Sequence, residues 1–380
     1  MTGKQRMMAA LRREPVDLIP ASPILYFMFP MRHSGRTAWN LFGLREPFVS
    51  TMKTVVDTYR HFGFESWYKC YLDVPARSES ESQVRQIAED RIEVSTLTHW
   101  PHGDTQHRYV YARNDAEWLV EFPIKDPVTQ EQIALDMLDV DAVSRASYAP
   151  VIEALQYTGD DGIVTASAPS WWSWWLGVRG SEQGLMDLYL YPEVMGRIYQ
   201  RFREYARAYA RLLARSPADA IYNAGGSYTT LSLISPAMWE DFVFEPLRDF
   251  CQTAHESGKP LCYFAGNIGL QLVERLAAAG VDAVSPCERP PLGDWRIPEI
   301  RRRVGHRICI VGNVDPINTL YRGTPEAVRN EVREVIRDSG GSGTGLILAT
   351  SDQVCRDTPY ANLFAFQEAR NRYGRPMAMA

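Results

Sequence analysis

Arg307-Ile308-Cys309-Ile310-Val311-Gly312-Asn313-Val314-Asp315-Pro316 decides how the rest of the chain is read. Ile308 to Val311 is an apolar run without polar alternation, which suits a strand buried on both faces of a parallel sheet. Gly312 permits a tight turn, and Asn313 and Asp315 place polar side chains at the carboxyl end, where parallel α/β folds bind ligands. A core strand followed by an Asx turn is the alternative reading of these residues.

The same plan repeats on both sides. Trp67 to Leu72 leads to Asp73, Gly162 to Ala168 leads to Pro169, and Ala218 to Tyr222 leads to Asn223. Pro260 to Phe264 leads to Asn267, Val281 to Ser285 leads to Glu288, and Gly345 to Thr350 leads to Asp352. An apolar segment from Leu18 to Phe29 opens the series. Helical patterns separate most of these runs; the clearest covers Glu193 to Ala214, with Met195, Ile198, Phe202, Tyr205, Tyr209 and Leu213 on one face. About eight strands alternating with helices predict a (β/α)8 TIM barrel. Between residues 88 and 123 the pattern alternates at Ile92–Ser95 and Tyr109–Ala112, which predicts a β-hairpin inserted after the second barrel strand. No long linker interrupts the chain, so residues 1–380 are read as one domain.

Composition narrows the class. With 45% hydrophobic and 23% charged residues the chain can bury a large core. Its net charge of −5 comes without a basic stripe, which argues against nucleic acid as a partner. The six cysteines are scattered with no Cys-x-x-Cys pair, pointing to a reduced compartment. The first residues lack a signal-peptide core and no window approaches a membrane span, so a cytoplasmic protein without membrane contact is expected.

Several segments together resemble the uroporphyrinogen decarboxylase superfamily: Ile234-Ser235-Pro236-Ala237-Met238-Trp239, Gly266-Asn267-Ile268, Gly280-Val281-Asp282, Gly312-Asn313-Val314-Asp315-Pro316, Gly323-Thr324-Pro325-Glu326 and Thr358-Pro359-Tyr360-Ala361-Asn362-Leu363. The resemblance implies a barrel with its site at the carboxyl-end mouth. The hairpin resembles the corrinoid-dependent methyltransferase branch more than the decarboxylase. Zinc-dependent members carry His-x-Cys-Gly-Asn and a late Cys as ligands. Here those positions read Tyr263, Ala265 and Asp352, so no tightly bound metal is expected. Met31-Arg32-His33-Ser34-Gly35-Arg36 is similar to the decarboxylase's Arg-rich stretch, and Asp73 sits near its pyrrole-binding Asp. The decarboxylase's late His, however, also falls on Asp352, and a polycarboxylate substrate would want a more cationic pocket.

The leading expectation is therefore a methyltransferase of a corrinoid-dependent demethylation system. It would take the methyl group of a small, aromatic methoxy substrate and pass it to a corrinoid carried by a partner protein or bound transiently. Asp352, Asp73, Glu288 and Tyr263 are the candidate catalytic residues, as acids or hydrogen-bond donors to a phenoxide leaving group. Tyr26, Phe27, Trp171, Trp172, Trp174 and Trp175 are candidates to stack on the substrate ring, with core packing as the alternative for the indoles. His33, Arg36, Asn223, Asn267 and Asn313 complete the binding set. A cofactor-free decarboxylase of a small aromatic or pyrrole-like acid, using Asp73 and the Arg32/Arg36 pair, stands as the alternative, and a non-catalytic binding barrel as a third. His99, His102 and His107, beside the hairpin loop, are read as solvated rather than metal-binding. A homodimer is compatible with all three readings.

Overall fold

A computed structural model describes residues 1–376 apart from 224, 267, 268 and 342, with 226 and 227 described in their backbone alone. Seven parallel strands form one sheet in the order β1 (Ser66–Cys70), β6 (Gly162–Ala168), β7 (Ala220–Asn223), β8 (Leu261–Phe264), β9 (Ala283–Ser285), β10 (Cys309–Val314) and β11 (Leu346–Thr350). Strands adjacent in this list are sequential partners, with helices between them, as right-handed β/α winding requires. Every residue of β6, β7, β9, β10 and β11 is buried, which is why their sequences carry no charged residue.

The first expected strand is not a regular one. Residues 20–24 run between β11 and β1, with Ser22 N–H donating to Leu348 O (2.8 Å) and Glu65 N–H to Ala21 O (3.0 Å). Pro20 and Pro23 supply no N–H, so the segment makes isolated bridges in place of a ladder. It fills the gap between the sheet's two edges, and the architecture is TIM-barrel-like. Trp67, Ile163, Tyr222, Cys262, Cys309, Val311 and Ile347 pack inside, where the helix Gly3–Leu11 adds Met7, Ala10 and Leu11. The outer helices include Pro192–Arg215, whose buried face of Met195, Ile198, Phe202 and Leu213 follows the expected spacing.

Where a hairpin was expected over 88–123, the chain builds a separate four-stranded antiparallel sheet: β2 (Glu79–Ala88), β3 (Arg91–Trp100), β4 (Gly103–Ala112) and β5 (Trp118–Glu121). β2 was missed because Glu-Ser-Glu-Ser-Gln-Val-Arg-Gln-Ile-Ala is exposed at every position, so neither face carries an apolar signal. The loop between β3 and β4 is two residues long, Pro101 and His102. His99 pairs with Asp104 (2.8 Å) and His102 with Asp136 (2.9 Å), each an ordinary surface partner. All six cysteines are free, and only Cys355 is not fully buried. Among the described residues no helix is long and apolar enough to cross a membrane.

Candidate functional site at the barrel mouth

Alternation along β1 aims Trp67 and Lys69 at the same face, the barrel lumen. The Trp67 indole N–H donates to Thr165 Oγ1 on β6 (3.0 Å), which fixes the ring as a wall. Lys69 Nζ then lies 3.9 Å from the centre of the Tyr222 ring, 4.8 Å from that of Tyr26 and 5.8 Å from that of Trp67. It donates to Tyr26 Oη at 2.9 Å. Among the described residues no carboxylate pairs with it. A half-buried ammonium held by ring faces and one phenol oxygen keeps N–H groups free for an anionic oxygen arriving beside it.

Around this lysine opens a cavity of about 680 Å³, within the size range of small-molecule sites. Aromatic residues are the largest group in its walls, among them Tyr26, Phe27, Phe42, Trp67, Tyr71, Tyr222 and Phe264. Ser22, Ser167, Ser173, Ser285 and Gln353 add hydroxyl and amide groups, and Glu117 contributes from the connection between β4 and β5. Tyr71, an exposed residue at the cavity wall, bonds Ser167, and the Tyr222 hydroxyl donates to Ser285 O at 3.3 Å. Burial pushes the Tyr222 phenol well up, so it stays a neutral donor.

Two acids stand past the ends of β9 and β11, the strands on either side of β10. Asp352, just past β11, is pushed up by burial, although the Gln353 N–H (2.6 Å) and the charge of Lys69 act against that. Glu288, past β9, is raised by burial and by the charge of Asp352 to about 7. Asp352 therefore ionises first, and Glu288 holds its proton to near neutral pH. Neither lines the cavity around Lys69, and a carboxyl that keeps its proton to near neutral pH is a functional candidate in its own right.

The remaining expected residues fall elsewhere. Tyr26 and Phe27 line the cavity as expected, but the four tryptophans do not. Trp171 to Trp175 belong to a helix, Trp171–Arg179, capped by Ser170, whose Oγ accepts from Ser173 N. Trp171 lies parallel to Trp175 at 5.9 Å and edge-on to Tyr199 at 5.1 Å; Trp172 meets Phe242, and Trp174 meets Phe202. They are packing, and Ser173 alone of that stretch reaches the cavity.

Tyr263 sits on the outer face of β8, because its neighbours Cys262 and Phe264 turn inward. Its hydroxyl meets Thr229 Oγ1 at 3.2 Å, and burial pushes its phenol up. Gly225 makes this possible, since a Cβ there would lie 2.8 Å from the Tyr263 ring. Asn223 accepts from Gly225 N–H (3.0 Å), and Asn313 donates to Trp295 O (3.1 Å), so both amides serve local structure. Asp315 caps the following turn through Ile317 and Asn318 N–H. Asp73 is exposed, its carbonyl paired with Ser147 N–H. His33 is packed among Phe29, His61 and Phe62 and bonds Tyr360 Oη (3.0 Å); desolvation lowers its pKa. Arg36 is exposed, and Arg32 donates to the carbonyls of Arg356 and Thr358. Asn267 lies outside the described residues.

Lys69, Tyr222 and Glu117 were not singled out from the sequence. For Lys69 a signal existed: a charged residue inside the run Ser66-Trp67-Tyr68-Lys69-Cys70, in register with an inward-facing Trp.

The uroporphyrinogen decarboxylase (URO-D) family profile matches residues 124–373. The chain belongs to the uroporphyrinogen decarboxylase family. Over 185 residues it is 30% identical to the uroporphyrinogen decarboxylase of Trichodesmium erythraeum, covering 47% of this chain and 48% of that protein. It is 28% identical over 190 residues to the Coxiella burnetii enzyme of the same name, covering 48% of each. The chain thus spans about half the length of these relatives in the matched region. In structure it overlays a methyltransferase from Methanosarcina mazei with a TM-score of 0.66 at 16% identity, over 98% of this chain and 99% of that one. That likeness is one of fold. Characterised members of the family are enzymes, and among the described residues of this chain no three His, Cys, Asp or Glu side chains converge as a metal site.

Proposed function

We propose that this family member is a methyltransferase that demethylates a small aromatic methoxy compound, the methyl group passing to a corrinoid carried by a partner protein. The observation that carries the reading is Lys69, an ammonium without a carboxylate partner among aromatic walls. The rings of Tyr26, Phe27 and Phe264 would hold the substrate ring by stacking and edge contacts. Lys69 would donate to the ether oxygen as the methyl–oxygen bond breaks and the electron pair moves onto that oxygen. Stabilising charge where it develops is the largest single lever such a site has. The proton that completes the phenol comes from Lys69, and the Glu288–Asp352 pair, one of whose members stays protonated to about pH 7, replaces it.

A reduced corrinoid supplies a nucleophile strong enough to accept a methyl group without a zinc-activated thiol. The 680 Å³ cavity is of small-substrate size, so this acceptor would meet the substrate at the opening. In this reading the protein holds no zinc.

Decarboxylation of a small aromatic acid is the second reading, favoured by the names of the relatives. It would use Lys69 to hold the carboxylate, because Arg32 is bonded to backbone carbonyls and Arg36 is exposed, neither lining the cavity. Anaerobic turnover of a methoxybenzene and methoxybenzoate panel with reduced cobalamin separates the two. A shift of the cobalamin absorbance with loss of the methoxy group supports methyl transfer. Release of carbon dioxide with the methoxy group intact supports the lyase.

A further inference from the structure

The mouth cavity carries two opposed polar features that stacking on a ring does not use. At its inner end is Lys69, held by Tyr26 and Tyr222. At its wall stands Glu117, brought in by the connection between β4 and β5. Glu117 Oε2 is buried and has no hydrogen-bond partner among the described residues. The charge of Glu117 reaches Tyr111, whose ring meets Phe42 at 5.2 Å, and Phe42 meets Phe27 at 5.8 Å. A buried carboxylate oxygen without a donor is costly, and the Lys69 ammonium, close enough to Asp352 for their charges to interact but in no ion pair, has N–H groups left to donate. A ligand that brings a donor to the one and an acid oxygen to the other satisfies both.

We infer that the cavity selects a dipolar aromatic ligand, with an acid oxygen on Lys69 and an O–H or N–H donor on Glu117. Glu117 is then a specificity-determining residue supplied by the antiparallel sheet, which gives that sheet a part in recognition. The inference rests on the same cavity as the proposed methyl transfer: of the three N–H donors of the Lys69 ammonium one is on Tyr26 Oη, which leaves one for the acid oxygen and one for an ether oxygen ortho to it, and the binding does not need the transfer to occur.

Calorimetric titration of the full chain without corrinoid tests it, with probes that carry no methoxy group. 4-Hydroxybenzoate and the longer 4-hydroxycinnamate carry both groups. Benzoate and cinnamate lack the donor, while phenol and 4-ethylphenol lack the acid. Hydrogen bonds to charged groups each correspond to about tenfold or more in affinity. At one of the two lengths, the two-headed probe should therefore bind at least about tenfold tighter than either single-headed one. Glu117→Gln should abolish the preference over the donorless probe and leave the other, and Lys69→Met should do the reverse. Preferences under tenfold at both lengths, or a preference that survives its variant, would overturn the inference. If a variant does not fold, the wild-type ratios decide. A protein that makes these discriminations yet transfers no methyl group contradicts only the proposed reaction. One that transfers methyl without discriminating contradicts only the dipolar site.

Discussion

The helix Trp171–Arg179 and the strand Ser66–Cys70 are both dense in aromatic side chains, and they end in opposite states. In the helix, Trp171, Trp172 and Trp175 are each at most 2% exposed and turn toward one another, Tyr199 and Phe242. In the strand, alternation sends Trp67 and Lys69 into the lumen, where Tyr26 and Tyr222 face a charge and leave open space. Aromatic content alone does not distinguish a core from a site. A half-buried charge set among the rings beside open space does, because a purely structural cluster has no use for a donor kept out of ion pairs.

That contrast breaks most sharply at Lys69. Lys69→Met keeps the stem's volume and removes the donor, so turnover should fall by about 10²–10⁴-fold, the range of a general acid. The melting temperature should hold or rise. A variant that retains wild-type turnover would make Lys69 another packing residue.

The helix should respond the other way. Trp172→Ala empties a fully buried site and should cost about 3–5 kcal/mol of stability in denaturant titration. Ligand affinity per folded molecule should remain unchanged; a selective loss of affinity would return the indoles to the binding site.

A smaller effect is expected at the ring beneath the lysine. Tyr222→Leu removes a face 3.9 Å from Nζ, worth about 0.5–2 kcal/mol, or roughly two- to thirtyfold in substrate affinity.

The smallest effect is a change in pH dependence at the rim. Turnover by the wild type should decline as pH rises through about 7, where Glu288 loses its proton, and Glu288→Gln should lack that limb. Stability carries the same sign. The folded chain binds this proton more tightly than the unfolded one, so stability falls as pH rises from about 4.5 through about 7. Glu288→Gln should therefore gain on the wild type at pH 8 and not at pH 4, as read by thermal unfolding at the two values.

How far the sequence carries depends on how each element buries its residues. Strands buried on both faces were legible almost to the residue: Ile308–Val311 lies within the buried stretch leading into β10, Gly162–Ala168 is β6, and Gly345–Thr350 contains β11. The long helix was legible because one face repeats every three to four residues. β2 was not, having no buried face, and the tryptophans passed for candidate stacking groups because they follow a strand end, where Ser170 in fact caps a helix. Strand tips proved the weakest guide to the site. A polar residue ending a strand can cap a turn, as Asp315 does, or bond a neighbouring carbonyl, as Asn313 does, without reaching the lumen. Side-chain alternation within β1 would have been the better guide, since it sets Lys69 on the face of Trp67.

The position of a bound substrate tests the account most directly. A bromine-substituted methoxybenzoate soaked into crystals marks its own place by anomalous scattering. The account predicts a bromine peak inside the cavity bounded by Tyr26, Lys69 and Tyr222. A peak beside Trp174 on the helix, or in the polar surface groove between Arg77, His102 and Arg197, with none at Lys69, would contradict it.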